Sequence, residues 1–143
     1  MQQTEIRPST KPLIYLAGPY SAPTEQQVWS NIISARELAM LVLRQGGIPI
    51  TPHLLSAGMG GLVPWEEFLA MDLAIIDRCD AVVLFPFWSQ SRGARIEEEH
   101  ARSRGLPVLQ FGELAGFIAS RSENAQKRPT ATAAALDGGE RTR

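Results

Sequence analysis

Two carboxylates stand where helical spacing gives them unusual company, Asp72 and Glu97. Asp72 has Phe68 and Leu69 one turn before it and Ile75 and Ile76 one turn after, so it faces inward. Buried charge is expensive, and such an acid is paired, protonated or used. Glu97 is the first of three consecutive glutamates. Gly93, Ala94, His100 and Ala101 surround it at helical spacing, which sets it on a stripe of small residues while Glu98 and Glu99 point elsewhere. A helix over 94–102, entered from a glycine-bearing loop over 86–93, places Glu97 in the first turn. Free N–H groups and the macrodipole there favour an ionised carboxylate. The bland alternative is a glutamate that only complements the dipole. Two acids pushed in opposite directions, Asp72 toward its protonated form and Glu97 toward ionisation, suit a proton donor and a nucleophile.

The elements that must position them follow from the hydrophobic pattern. Short apolar runs at 13–17 and 81–85 read as buried parallel strands. Ile48-Pro49-Ile50 is a third, at an edge because proline cannot donate to a ladder, and 106–111 is a fourth. Thr24-x-x-Gln27 opens a long helix that Gly46-Gly47 closes. Its apolar face runs Val28, Ile32, Ala35, Leu38, Ala39 and Val42. A second helix starts at Pro64 and carries Asp72 to about Arg78. A short last helix covers about 113–120.

This alternation predicts an α/β fold: one doubly wound, flavodoxin-like or Rossmann-like domain with a four- or five-stranded parallel sheet. In the strand order 2-1-3-4, Gly18 to Ser21, Trp88 to Gly93 and the helix bearing Asp72 converge on one crevice at the carboxyl ends of the strands. The glycine-rich connection over 51–63 holds His53, either solvated or turned to a substrate. Trp88 stacks on a ligand or caps the core beneath its loop. Asp80 reads as a turn residue and Cys79 as a small core residue. The domain is expected over 13–121, with a loose arm at 1–12 and a disordered tail over 122–143.

Composition narrows the function classes. A chain of 143 residues with 44% hydrophobic and 20% charged residues is ordinary for a soluble domain. A net charge of −1 leaves no electrostatic footprint for a nucleic-acid polymer or an acidic membrane. One cysteine excludes an internal disulfide and a multi-cysteine zinc site. No apolar run reaches membrane-spanning length and no signal-peptide core opens the chain, so a cytoplasmic protein without metal or cofactor is expected.

Four stretches taken together carry a resemblance: Tyr15-Leu16-Ala17-Gly18-Pro19-Tyr20-Ser21, Pro52-His53, Asp72 with Asp80 eight residues on, and Ser91-x-Gly93-x-x-x-Glu97. Over about 13–108 the chain resembles the nucleoside 2-deoxyribosyltransferase superfamily, which includes 2′-deoxynucleoside 5′-monophosphate N-glycosidases. The resemblance implies that Glu97 is the nucleophile attacking the sugar C1′, that Tyr15 orients it, and that Asp72 works on the departing base. It puts Ser91 and Gly93 around the sugar's 5′ end and implies a homo-oligomer. Many relatives have a glycine where this chain has Arg95, which would change crowding at the helix start.

The resulting expectation is N-glycosidic cleavage of a nucleoside 5′-monophosphate through a glycosyl-Glu97 intermediate. Gly18, Ser21, His53, Trp88, Ser91, Arg92 and Gly93 are the expected substrate contacts. Ser91, Arg92 and the helix N–H groups would form an anion cradle. The alternatives are a deoxyribosyltransferase on free nucleosides and a non-catalytic nucleotide-binding module. A phosphoacceptor receiver domain is set aside, because the strand ends offer Ala17-Gly18 and Pro86-Phe87 rather than carboxylates.

Overall fold

The computed structural model of the protein describes residues 4–127. The chain runs β1 (Leu13–Ala17), α1 (Glu25–Gln45), β2 (Ile48–Ile50), α2 (Pro52–Leu55), α3 (Trp65–Ile76), β3 (Ala81–Leu84), α4 (Arg92–Ser103), β4 (Val108–Gln110) and α5 (Leu114–Lys127). Single 3₁₀ turns at Trp88–Gln90 and Phe111–Glu113 precede α4 and α5. The four strands form one parallel sheet in the order β2-β1-β3-β4. This is a single doubly wound α/β domain, with β2 at an edge as Pro49 requires.

Period-two alternation sorts the strand residues onto two faces. Ile14, Leu16, Ala81 and Val83 pack with Ala35, Ala39 and Val42 of α1 and with Leu114 and Ile118 of α5. Tyr15, Ala17, Val82 and Leu84 face the other way, toward Ile76 of α3 and Ala101 of α4. Each fully buried aliphatic contributes about 1.5–3 kcal/mol, so the sheet faces rather than the loops hold the domain together. Strands β1 and β3 lie side by side, Tyr15 beside Val82 and Ala17 beside Leu84. Because α1 leaves on one face and α4 on the other, a crevice opens beyond their carboxyl ends.

Local signals set the boundaries. Thr24 Oγ1 accepts a hydrogen bond from the Gln27 amide at 3.2 Å to cap α1, and Gly46 ends that helix at φ 96°. Asp80 is more than a turn residue. Its Oδ2 accepts the Leu13 amide at 2.7 Å and its Oδ1 accepts Arg121 at 2.9 Å, tying β1 and α5 to the start of β3.

One expectation about the ends changes. The last helix runs to Lys127 instead of stopping near Ser120, so residues 122–127 belong to α5 and are not a disordered tail. Arg121, within this helix, pairs with Asp80 where the apolar periodicity fades. The rest of the expected tail lies outside the described residues. At the other end, residues 4–12 form no helix or strand. No helix of the described residues is long and apolar enough to cross a membrane.

Candidate active site

The site grows from the start of α4. Ser91 is its N-cap, with Oγ accepting the Ala94 amide at 3.2 Å, so the helix begins at Arg92 and takes Gly93 inside it. That moves Glu97 from the expected first turn to the second. Ala94, Glu97 and Ala101 form the buried stripe of the helix. Glu97 is only 6% exposed.

Tyr15 supplies its partner. The tyrosine is wholly buried on the α3–α4 side of the sheet, and its hydroxyl donates to Glu97 Oε1 at 3.0 Å. Burial, then the nearby Glu97 and Asp72 carboxylates, hold its pKa well above the usual phenol value, so Tyr15 stays a donor.

Glu97 corrects a second expectation. Burial first, and the Asp72 carboxylate second, push its pKa up to about 8, against the opposing effect of the Tyr15 hydrogen bond. The ionising influence of the helix start does not reach a second-turn carboxylate enclosed this deeply. Asp72, half-buried on α3, is raised by burial to about 6, the direction its apolar neighbours imply. The two acids are therefore pushed the same way, not opposite ways. Near neutral pH the pair carries about one proton.

A cavity of about 660 Å³ joins these groups. Glu97 and Asp72 both line it, together with Gly18, Ser21, His53, Ser91, Arg92 and Gly93. The turn between β1 and α1, α2, the face of α3 and the start of α4 each contribute a wall. Helix α3 is tied to α4 by Asp77 Oδ1, which accepts His100 Nε2 at 2.8 Å and Arg104 Nε at 3.0 Å. That clamp holds the helices carrying Asp72 and Glu97 in fixed relation.

The remaining expected residues differ in what they do. Gly18 is sterically required, since a Cβ there would lie 2.2 Å from the Phe85 ring. Gly93 is not, for a Cβ would meet nothing closer than Trp65 at 3.8 Å, and its open side faces the cavity. His53 is no solvated loop residue: it sits in α2, 2% exposed, stacked on Phe85 at 5.4 Å. Its Nε2 donates to the Pro19 carbonyl at 2.8 Å, and burial lowers its pKa, so the ring is neutral. Arg92 lies over the Trp65 ring, 4.9 Å from its centroid.

Trp88 is not among the residues lining the cavity. It packs on the buried cluster of Tyr15, Val82 and Leu84, the position the capping alternative describes. Arg95 does not crowd the site either. It is exposed, and its Nη1 donates to the Ser89 carbonyl at 2.9 Å. Cys79 donates to the Ile75 carbonyl at 3.3 Å, and burial pushes its thiol up to about 11, away from reactivity. Phe87, 71% exposed, adopts the left-handed φ of 65°, a strain that collects at functional loops.

Sequence reasoning missed Trp65 and Gln90 in the cavity wall. A signal for Trp65 was present, because Trp65, Phe68, Leu69 and Asp72 fall on one helical face. Gln90 sits in a 3₁₀ turn inside the 88–93 stretch expected at the crevice, with no pattern of its own to single it out. Among the described residues, no three His, Cys, Asp or Glu side chains converge as a metal site requires.

A family profile with the description "Domain of unknown function (DUF4406)" matches residues 12–110. The chain belongs to the DUF4406 family. No curated protein matches it. The DUF4406 segment spans β1 through β4 and contains every residue of the cavity, while α5 lies beyond it.

Proposed function

We propose that this DUF4406 protein cleaves the N-glycosidic bond of a nucleoside 5′-monophosphate, in line with its resemblance to the nucleoside 2-deoxyribosyltransferase superfamily. The observation that carries the reading is the Tyr15 hydroxyl donating to Glu97 Oε1 at 3.0 Å, which fixes a carboxylate at a cavity also lined by Asp72. An oriented carboxylate and a second acid at one cavity are the parts a retaining glycosidase needs.

In the first step a Glu97 oxygen attacks C1′, the C1′–N bond breaks, and Asp72 delivers its proton to the departing base. In the second, water attacks C1′, its proton passes to Asp72, and the Glu97–C1′ bond breaks. Attack requires the shared proton on Asp72 and the charge on Glu97. The surroundings of the two acids alone favour the reverse, since burial and the neighbouring carboxylate raise Glu97 further than Asp72. Positive charge developing at C1′ stabilises the Glu97 carboxylate, and a base packed against Asp72 desolvates it further, so substrate itself drives the proton to the donor.

Support for a 5′-phosphate comes from the start of α4. Arg92 is the arginine among the cavity residues and forms no ion pair among the described residues. The Arg92 and Gly93 amides occupy the first two helical positions, where no intrahelical acceptor exists.

A second reading, deoxyribosyl transfer between free nucleosides, draws on the 6% exposure of Glu97. A glycosyl ester shielded that far from water would survive until a second base arrives. The test is to incubate the protein with paired nucleosides and 5′-monophosphates and chromatograph for free base. Base released from monophosphates is expected. Exchange between two bases without net hydrolysis supports transfer, and no release from any substrate would leave only a binding module.

A further inference from the structure

The outward side of α1 has an order of its own. Trp29, Ile33 and Met40 are 47%, 48% and 49% exposed. With Arg36, Glu37 and Arg44 they form one stripe at helical spacing, well round the helix from Ile32, Ala35, Ala39 and Val42, which bury against the sheet. Arg36, Glu37, Met40 and Arg44 share one shallow surface groove. Among the described residues these three charged side chains have no ion-pair partner. A tryptophan and two long aliphatics left half in water, flanked by unpaired charge, mark a surface that meets something.

We propose that the partner is a second copy of this chain, with the two α1 helices packed antiparallel about a two-fold axis between Arg36 and Glu37. The stripe is self-complementary in that arrangement, as an isologous contact must be. Arg36 of each copy faces Glu37 of the other, Ile33 faces Met40, and Trp29 faces Arg44 for a cation–π contact. The register is selective. Sliding one helix by a turn sets Ile33 against Arg36 in one direction and against Arg44 in the other, leaving charge on apolar surface both times. Six side chains of one helix cover less than the roughly 800 Å² per partner of a standard interface, so the dimer is a weak one that forms only as concentration rises. The cavity residues lie on other elements, and the proposal is independent of the proposed reaction.

Sedimentation equilibrium of the full chain from about 0.1 to 300 μM tests it. The wild type should pass from monomer to dimer. Arg36→Glu and Glu37→Arg should each weaken the dimer at least about tenfold, because each sets like charges across the axis. An equimolar mixture of the two variants should restore association to within about threefold of wild type, since acid then meets base at both positions. Circular dichroism of these exposed-site variants should be unchanged. A wild type that stays monomeric throughout would assign the stripe to some other partner and overturn the proposal. So would a dimer indifferent to the charge reversals, or variants that associate no better mixed than alone.

Discussion

The Tyr15 hydroxyl and Glu97 Oε1 lie 3.0 Å apart across 82 residues of sequence. Tyr15 points to the α4 face because it alternates with Ile14 and Leu16, which face α1. Glu97 meets it because the Ser91 cap sets the phase of α4. Strand pleat and helix cap therefore fix one hydrogen bond, and the proposed chemistry depends on it.

Glu97→Gln keeps shape and removes the nucleophile, so base release should fall by at least about a thousandfold. Stability should move the other way. The folded pKa is raised from the ordinary 4.5 to about 8, so the folded state binds more protons between those values and loses stability as pH rises through them. The variant carries no such group. Its thermal midpoint should exceed wild type at pH 8.5, with the gap closing toward pH 4.5. Calorimetry across that range checks it, and an unchanged or lower midpoint at pH 8.5 contradicts the burial argument.

The shared proton predicts a bell-shaped pH profile of kcat/KM. Below about 6 both acids are protonated and Glu97 cannot attack; above about 8 both are ionised and Asp72 has nothing to donate. Asp72→Asn should convert the bell into a single rising limb at much lower rate. That limb should lie below 8, because the Asp72 charge no longer opposes ionisation of Glu97. A bell that survives the substitution removes Asp72 from the mechanism.

Tyr15→Phe keeps the buried ring and deletes the donor. Loss of a charge-assisted hydrogen bond is worth about 1.5–3 kcal/mol, so kcat/KM should drop roughly ten- to hundred-fold. The hydrogen bond lowers the pKa of Glu97, so the descending limb should also shift to higher pH. A drop in rate without that shift would make Tyr15 a packing residue only.

Much of this was legible in the residues. Thr24 and Gly46 mark α1 by capping chemistry, and the alternation of apolar runs implies the parallel sheet, whose order β2-β1-β3-β4 is the flavodoxin-like one considered. Asp72 announces itself by four apolar neighbours at helical spacing. What escaped depends on contacts between distant segments. Whether Gly93 ends the loop or enters the helix is decided by one Ser91 cap, and Glu97 lies two residues deeper in the helix with it. The burial of Glu97 and of His53 comes from partners such as Tyr15 and Phe85, which no local pattern places. The pairing of Arg121 on α5 with Asp80, 41 residues away, is likewise beyond any local pattern.

Gly18→Ala tests how tightly the crevice is built. The added methyl would fall 2.2 Å from Phe85 Cδ2 and 2.6 Å from its Cβ, so the ring must move. Phe85 supports the His53 ring, and its displacement should loosen the cavity wall as well as the core. The expected cost is about 1–3 kcal/mol, read as a lowered denaturant midpoint. A variant as stable as wild type would mean that β1 shifts to make room.

Arg92→Ala addresses the substrate class and rests on the proposed reaction. The guanidinium lines the cavity and is held over Trp65, within the same helix start as the Ser91 hydroxyl and two amides without intrahelical acceptors. If it contacts a 5′-phosphate, its removal should lower kcat/KM for a deoxynucleoside 5′-monophosphate about ten- to hundred-fold. The matching free nucleoside should change by less than about twofold, because a neutral hydroxyl forms no charge-assisted bond. Equal losses on both substrates would show that Arg92 acts by holding Trp65 in the wall. No loss on either would place the guanidinium outside the substrate's reach, and a nucleoside already preferred by the wild type would return deoxyribosyl transfer to first place.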